Sequence, residues 1–366
     1  MNDLEPPVPI TRPVIDDVDI EAVVSVLRSG MLVQGPNVAE FERQLASIAG
    51  TAHAIAVSNC TVALEVALRG MGIGRGDRVA VTAYSWVATV NAIEIVGAEP
   101  VMVDIDAATF NMGVEALDTV LSAGPIHAVL PVHTFGSMTG FDELMAVTES
   151  HGVRVLEDAA CAIGAKSGRG NAGGVGVAGC LSFHPRKVIT TGEGGAITTN
   201  DADLAAFART YRNHGQSPGG FTACGSNFRL TDFQAALGVS QLQKLDGIVA
   251  ERQRIAERYD GELPVLGMRP QERAAGSVVQ SYVALVPAAT SAVATVDGLR
   301  SRGVEATIGT VAIPLTGYHG PRFGADIGAF PVLADVSRRA VTLPLFPGMT
   351  DAQQDRVLQA LREVLS

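Results

Sequence analysis

Between Ala54 and about Asn200, short apolar runs alternate with stretches of helical periodicity, and this alternation constrains the fold more than any other feature of the chain. The runs are Ala54 to Val57, Arg78 to Thr82, Pro100 to Asp104, Ala128 to Val132 and Val153 to Leu156. Strands joined by crossover helices pair in parallel, so the pattern predicts an α/β domain with a mostly parallel central sheet flanked by helices. Ahead of it, Pro36 opens an amphipathic helix with Val38, Phe41, Leu45 and Ile48 on one face, and Gly50 stands at the C-terminal cap. The preceding residues 28–35 then form an ordered arm or loop.

Further along, Thr231 is placed to cap a long helix carrying Phe233, Leu237, Leu245 and Ile248 toward Tyr259, which would join two domains. After Gly261 the pattern changes to a strand over Val278 to Val286, a helix over Ser291 to Arg302 and a final helix from Thr350 to Leu365. That describes a smaller C-terminal α+β domain. A chain of 366 residues has room for about two domains, and the expected division is 1–247 and 248–366.

The composition, 47% hydrophobic and 18% charged, suits a large buried core. A net charge of −11 with scattered arginines speaks against nucleic acid, which needs a concentrated basic face. The uncharged stretch from Ala274 to Val296 is broken by Gln280, Pro287, Thr290 and Ser291, so no membrane span is expected. Cys60, Cys161, Cys180 and Cys224 are widely spaced, with no zinc pattern, and the seven histidines are scattered, so no metal is expected. Free thiols and an acidic, proline-bearing start at Met1 to Pro7 point to a cytoplasmic protein without an export signal.

The chemistry concentrates at strand ends. Lys187 precedes the glycine-rich turn Gly192-Glu193-Gly194-Gly195, and Glu157-Asp158 follows the run Val153 to Leu156, where open α/β sheets place their ligands. A lysine amine paired with an aspartate is what pyridoxal phosphate requires, the carboxylate serving the pyridinium nitrogen. Burial would lower the pKa of the amine and make it a nucleophile. Each residue also has an ordinary reading, Asp158 as a turn cap or surface ion pair and Lys187 as a solvated lysine. Ser58 to Leu64 forms a small-residue turn into a helix, suited to a phosphate and equally to an ordinary cap at Ser58 or Thr61. Trp86, the only tryptophan, lies just past a strand, placed to stack on a flat cofactor or to fill the core. The Gly174, Gly176, Gly179 motif precedes a strand instead of following one, so it is not a dinucleotide site.

With these residues in view, the chain resembles the DegT/DnrJ/EryC1/StrS family of fold-type I pyridoxal phosphate enzymes, the sugar aminotransferases of antibiotic and cell-surface sugar pathways. The resemblance runs from the arm at residues 30–35 through Glu157-Asp158-Ala159-Ala160, Ser182 to Gly195 and Gly225 to Ala236, to Leu343 to Thr350. It implies Lys187 as the lysine of the internal aldimine and proton shuttle, Asp158 on the pyridine nitrogen and Trp86 on the ring. It further implies Ser182, Cys60 and Thr61 on the phosphate, and Asn227 reaching that phosphate from the neighbouring subunit of a homodimer. His133, in the family segment Pro131 to Gly136, is a candidate substrate contact and equally a satisfied strand-end histidine, and Arg186 and Arg229 are candidate substrate contacts for anionic groups.

Cys161 stands where the family usually has a glutamine contacting the cofactor's phenolic oxygen. Residues 309–319 match only loosely the segment that often carries a histidine toward the sugar. The implied reaction is a ping-pong transamination from L-glutamate or L-glutamine to a nucleotide-linked 3- or 4-keto-deoxysugar, with a keto-cyclitol as the alternative acceptor. A deoxysugar dehydratase of the same family carries histidine at the lysine position, so Lys187 argues against it. Intact Lys187 and Asp158 argue against a non-catalytic regulator that keeps the fold.

Overall fold

The computed structural model describes residues 6–324 and 326–366, so most of the Met1 to Pro7 segment lies outside the described residues. Seven strands form the central sheet: β1 (His53–Val57), β2 (Arg78–Thr82), β3 (Glu99–Val103), β4 (Ala128–Leu130), β5 (Arg154–Asp158), β6 (Ala178–Ser182) and β7 (Gly195–Thr199). Their order is β1-β7-β6-β5-β4-β2-β3. The pairs β2/β3, β2/β4, β4/β5 and β5/β6 are parallel, and only β7 runs against its neighbours, so the sheet is mostly parallel as the alternation predicted.

Helices cover both faces. After α1 (Asp17–Ser29), α2 (Pro36–Ala49) starts at Pro36 and ends at Gly50 in the left-handed conformation. Its buried residues Phe41 and Leu45 join one core layer, while Leu64, Val66 and Leu68 of α3 (Cys60–Gly70) and Ile93 of α4 (Val87–Ile95) join the opposite one. Each such large apolar side chain withdrawn from water contributes about 1.5–3 kcal/mol.

The helix expected from Thr231 toward Tyr259 is in fact two, Asp232–Leu242 and Leu245–Glu262. Thr231 does cap the first, its backbone N–H and hydroxyl donating to Gln234 Oε1. The break follows from the buried carboxylate of Asp19 on α1, which accepts from Ser240 Oγ, Gln241 Nε2 and Lys244 Nζ. Those three bonds draw the end of one helix and the start of the next onto α1.

The second sheet has four antiparallel strands in the order β10-β11-β13-β12: β10 (Arg269–Pro270), β11 (Tyr282–Leu285), β12 (Thr307–Ile308) and β13 (Ala340–Leu343). A small hairpin, β8 (Gln216–Ser217) and β9 (Gly220–Phe221), precedes it. Helices Ala292–Arg300 and Asp351–Leu365 contribute to its core, and Val8 of the N-terminal segment joins the same core through a backbone bridge to Val304. β11 is shorter than the expected Val278 to Val286. The amides of Val278 and Gln280 donate instead to Gly136 O at 3.0 Å and Phe135 O at 2.9 Å, and Val279 between them has φ +48°. Among the described residues no helix is long and apolar enough to cross a membrane.

Candidate active site

Lys187 is carried by the segment that leaves β6. Its backbone N–H closes a turn onto His184 O at 2.8 Å, and the loop is cinched where Thr191 N and Thr190 Oγ1 both donate to Phe183 O. The side chain turns inward, and Nζ donates to Cys161 Sγ at 3.1 Å. Burial pulls the amine's pKa down, as the sequence suggested. Cys161, Asp158 and Cys60 outweigh it, so the free amine is held above the ordinary lysine value. The expected lowering is therefore corrected for the cofactor-free chain, in which the amine sits among anionic and polarisable groups.

Asp158 is the last residue of β5, and its backbone continues the sheet toward Pro131 O and His133 N. Its side chain is 4% exposed, which removes the surface ion-pair reading. Oδ1 accepts from Ala160 N at 3.1 Å and so caps the following turn, while Oδ2 accepts from Thr89 Oγ1 at 2.7 Å. Burial raises the carboxyl's pKa against the opposing pull of Thr89, Ala160, Lys187 and His133. No cation is hydrogen-bonded to it among the described residues.

Next to these strand ends lies the start of α3. Its cap is Asn59, whose Oδ1 accepts from Val62 N at 3.0 Å, and neither Ser58 nor Thr61 fills that role. Cys60 and Thr61 are therefore the first two helical residues, where amide N–H groups lack intrahelical partners. Gly195 explains how closely the helix approaches. A Cβ there would lie 2.4 Å from the Asn59 carbonyl carbon and 2.6 Å from Cys60 N. Gly195 is register partner to both Val57 and Ser182, so Ser182, Cys60 and Thr61 converge on one strand-end crevice. Burial pushes the Cys60 thiol well up.

Trp86 is the cap residue of α4 and its side chain is 66% exposed, so the core reading falls. Three residues on, Thr89 holds Asp158, which ties the indole and the carboxylate to one helix.

Other candidates are placed elsewhere. His133 is 1% exposed, with Nε2 bonded to Glu157 Oε2 at 2.8 Å and its ring edge-on to Phe141 at 4.6 Å. Of its two readings, the geometry matches the satisfied strand-end histidine. Glu157 also accepts from the amides of Gly173, Val175 and Gly176, which is the use the fold makes of the glycine-rich motif.

Arg186 is exposed and lines a groove of about 380 Å³ with Ile10 and Thr307. Arg229 donates through Nη1 to Asn213 Oδ1 at 2.5 Å, and its buried Nε has no partner among the described residues. Asn227 bridges Asn213 through backbone, and no hydrogen bond joins its side chain to Lys187, Asp158 or Ser182 among the described residues. In the segment 309–319, His319 is turned onto α4, with Nε2 bonded to Asn91 Oδ1 at 2.8 Å.

Sequence reasoning missed Thr89 and Tyr84, and it placed Glu157 at the strand end without its bond to His133. The Tyr84 hydroxyl accepts from Thr310 N at 3.1 Å and holds the 309–319 segment beside Trp86. A hydroxyl three residues after a strand-end tryptophan was the one available signal for Thr89.

The donor set suits pyridoxal phosphate. A buried carboxylate with no cation hydrogen-bonded to it among the described residues matches a pyridinium N–H, a helix N-terminus between two hydroxyls matches a phosphate, and an exposed indole matches a flat ring.

Comparisons with known proteins agree. The model of the DegT/DnrJ/EryC1/StrS aminotransferase family matches residues 13–362. GDP-perosamine synthase of Caulobacter vibrioides is 34% identical over 382 residues, covering 100% of both chains. The spore coat polysaccharide biosynthesis protein SpsC of Bacillus subtilis is 33% identical over 377 residues, covering 98% of this chain and 97% of SpsC. Spr1654 of Streptococcus pneumoniae, solved in a PMP-form and a PLP-form, superposes with a TM-score of 0.92 at 26% identity, covering 98% of each chain. The chain belongs to the DegT/DnrJ/EryC1/StrS aminotransferase family, and with it to the pyridoxal phosphate-dependent aminotransferases.

Proposed function

We propose that this protein transfers an amino group from L-glutamate or L-glutamine to a nucleotide-linked keto sugar, in two half-reactions and as a homodimer. The observation that carries the reading is the convergence of the Lys187 amine, the Asp158 carboxylate and the start of α3 at adjacent strand ends. Full-length similarity to a GDP-perosamine synthase supports a nucleotide-linked sugar as the acceptor.

When bound, pyridoxal phosphate supplies an electron sink that makes a donor Cα–H acidic and carries the amino group between substrates. The chain's own residues do the rest. The amides and hydroxyl of Cys60 and Thr61, with Ser182, would hold the phosphate, and Asn227 of a second subunit would complete that cradle. Asp158, fixed by Thr89 and Ala160, would keep the ring nitrogen protonated, so charge is stabilised where it develops. Lys187, once free, moves the proton at the donor's Cα. Trp86 would cover one ring face and exclude water. The apolar side chains of Val18, Ile20 and Leu27 on α1 and of Met31 and Val33 on the arm are exposed in the single chain, which suits burial against a second copy.

A single-turnover assay tests this. With pyridoxal phosphate and L-glutamate but no sugar, the two-step reading expects about one equivalent of 2-oxoglutarate per subunit, and further turnover only on adding a nucleotide-linked keto sugar. No 2-oxoglutarate or glutamine-derived keto acid without acceptor would overturn the two-step reading.

A further inference from the structure

The Lys187 amine makes its one side-chain hydrogen bond, among the described residues, to a sulfur and not to the carboxylate it is expected to work beside. Both Asp158 oxygens are already engaged, by Thr89 Oγ1 and Ala160 N, and the carboxylate is pinned at the strand end. Cys161 lies three residues further along the same turn, which is closed by Ala162 N donating to Ala159 O at 2.9 Å.

The backbone of Cys161 is pressed from outside as well. A Cβ on Gly136 would lie 3.0 Å from Cys161 O and 2.9 Å from Gln280 N, so the turn at Phe135 and Gly136 leaves Cys161 little freedom to move. Its sulfur is therefore placed by the fold, and the long, flexible lysine comes to it. Cys161 and then Asp158 act together against burial to keep the proton on the amine.

We infer that Cys161 is a positioning residue for Lys187, holding the free amine at the turn that follows Asp158 by a direct hydrogen bond to its sulfur while the carboxylate is engaged elsewhere. The inference rests on the aminotransferase reading for its use, because the lysine must leave its resting place and return in each half-reaction. It does not rest on that reading for its test. Lys187, Lys166 and Lys244 are the only lysines of the chain, so chemical modification reports Lys187 cleanly in cofactor-free protein. The groups that face Lys187 and bear on its titration are Cys161, Asp158 and Cys60.

The experiment is competitive acetylation with acetic anhydride between pH 7 and 11, read peptide by peptide, with Lys166 as internal reference. In Cys161→Ala, Lys187 should react roughly three- to tenfold faster relative to Lys166 near pH 9, because the loss of one hydrogen-bonding partner eases release of the proton. Cys161→Ser, whose hydroxyl also accepts a hydrogen bond, should recover most of the wild-type profile. Unchanged Lys166 reactivity and circular dichroism show that the variants are folded. A Lys187 profile that coincides in wild type and both variants overturns the inference. Failure of the wild-type protein to bind pyridoxal phosphate would remove the proposed function and leave this result standing.

Discussion

Thr89 Oγ1 donates to Asp158 Oδ2 at 2.7 Å and joins the first turn of α4 to the end of β5. Because Trp86 caps the same helix, the exposed indole and the buried carboxylate are anchored to one element. Thr89 Oγ1 also lies 2.8 Å from Ser85 Oγ, so a short hydroxyl chain aims the carboxylate from the helix side.

Asp158 is held by burial above its ordinary value of 3.8, against the pull of Thr89, Ala160, Lys187 and His133. An acid with a raised folded pKa binds its proton more tightly folded than unfolded. Its stabilising contribution is present below 3.8 and is lost as pH rises through the folded value. Asp158→Asn should therefore match or exceed wild type in the thermal stability of cofactor-free protein at pH 7, with the gap closing as pH falls toward 4. The glutamate half-reaction should meanwhile slow by about 10²–10³. Thermal melts across pH and single-turnover rates check both.

Glu157 shows the opposite linkage. Burial would raise its carboxyl, but His133 and the amides of Gly176 and Gly173 outweigh that and hold it below 4.5. Its contribution is present above 4.5 and lost as pH falls through the folded value. Glu157→Gln, which leaves buried amide donors without a full carboxylate acceptor, should cost about 1–3 kcal/mol at pH 7, and less at pH 4, in urea denaturation.

Trp86 separates binding from folding. Trp86→Ala should leave stability within about 0.5 kcal/mol, as for an exposed residue. It should weaken pyridoxal phosphate binding by up to about tenfold, the scale of one aromatic stacking contact. Cofactor titration beside a thermal melt distinguishes the two.

Gly195→Ala should displace the Asn59–Cys60 peptide, destabilising the fold by about 1–3 kcal/mol and loosening the cofactor. Gly247→Ala is the control, since a Cβ there meets nothing within 4 Å and lies in the helix Leu245–Glu262. It should gain about 0.5–1 kcal/mol, measured by the same denaturation.

The parts legible in the sequence were those governed by local chemistry. Pro36 and Gly50 bracket α2 because one fixes φ and the other accepts a left-handed cap, and β2 spans Arg78–Thr82 as read. The placement of Lys187 and Asp158 close to strand ends was legible because it follows from the strands on either side of them. What escaped depends on contacts between distant segments. Asp19 breaks the helix after Leu242 from more than 220 residues away, and the 135–136 turn takes the amides that would have lengthened β11. His133 was a site candidate through the family segment around it and equally a satisfied strand-end histidine, and its ring turns to Glu157 on the neighbouring strand. Outside a regular helix or strand, no local pattern reports which partner a side chain takes.

The most direct test of the central claim is the visible absorption spectrum of purified protein with pyridoxal phosphate, before and after L-glutamate, beside Lys187→Ala. Wild type should show a lysine-bound cofactor band that disappears on adding glutamate and is absent from the variant. An identical spectrum in wild type and Lys187→Ala, or no band in wild type, would contradict that claim.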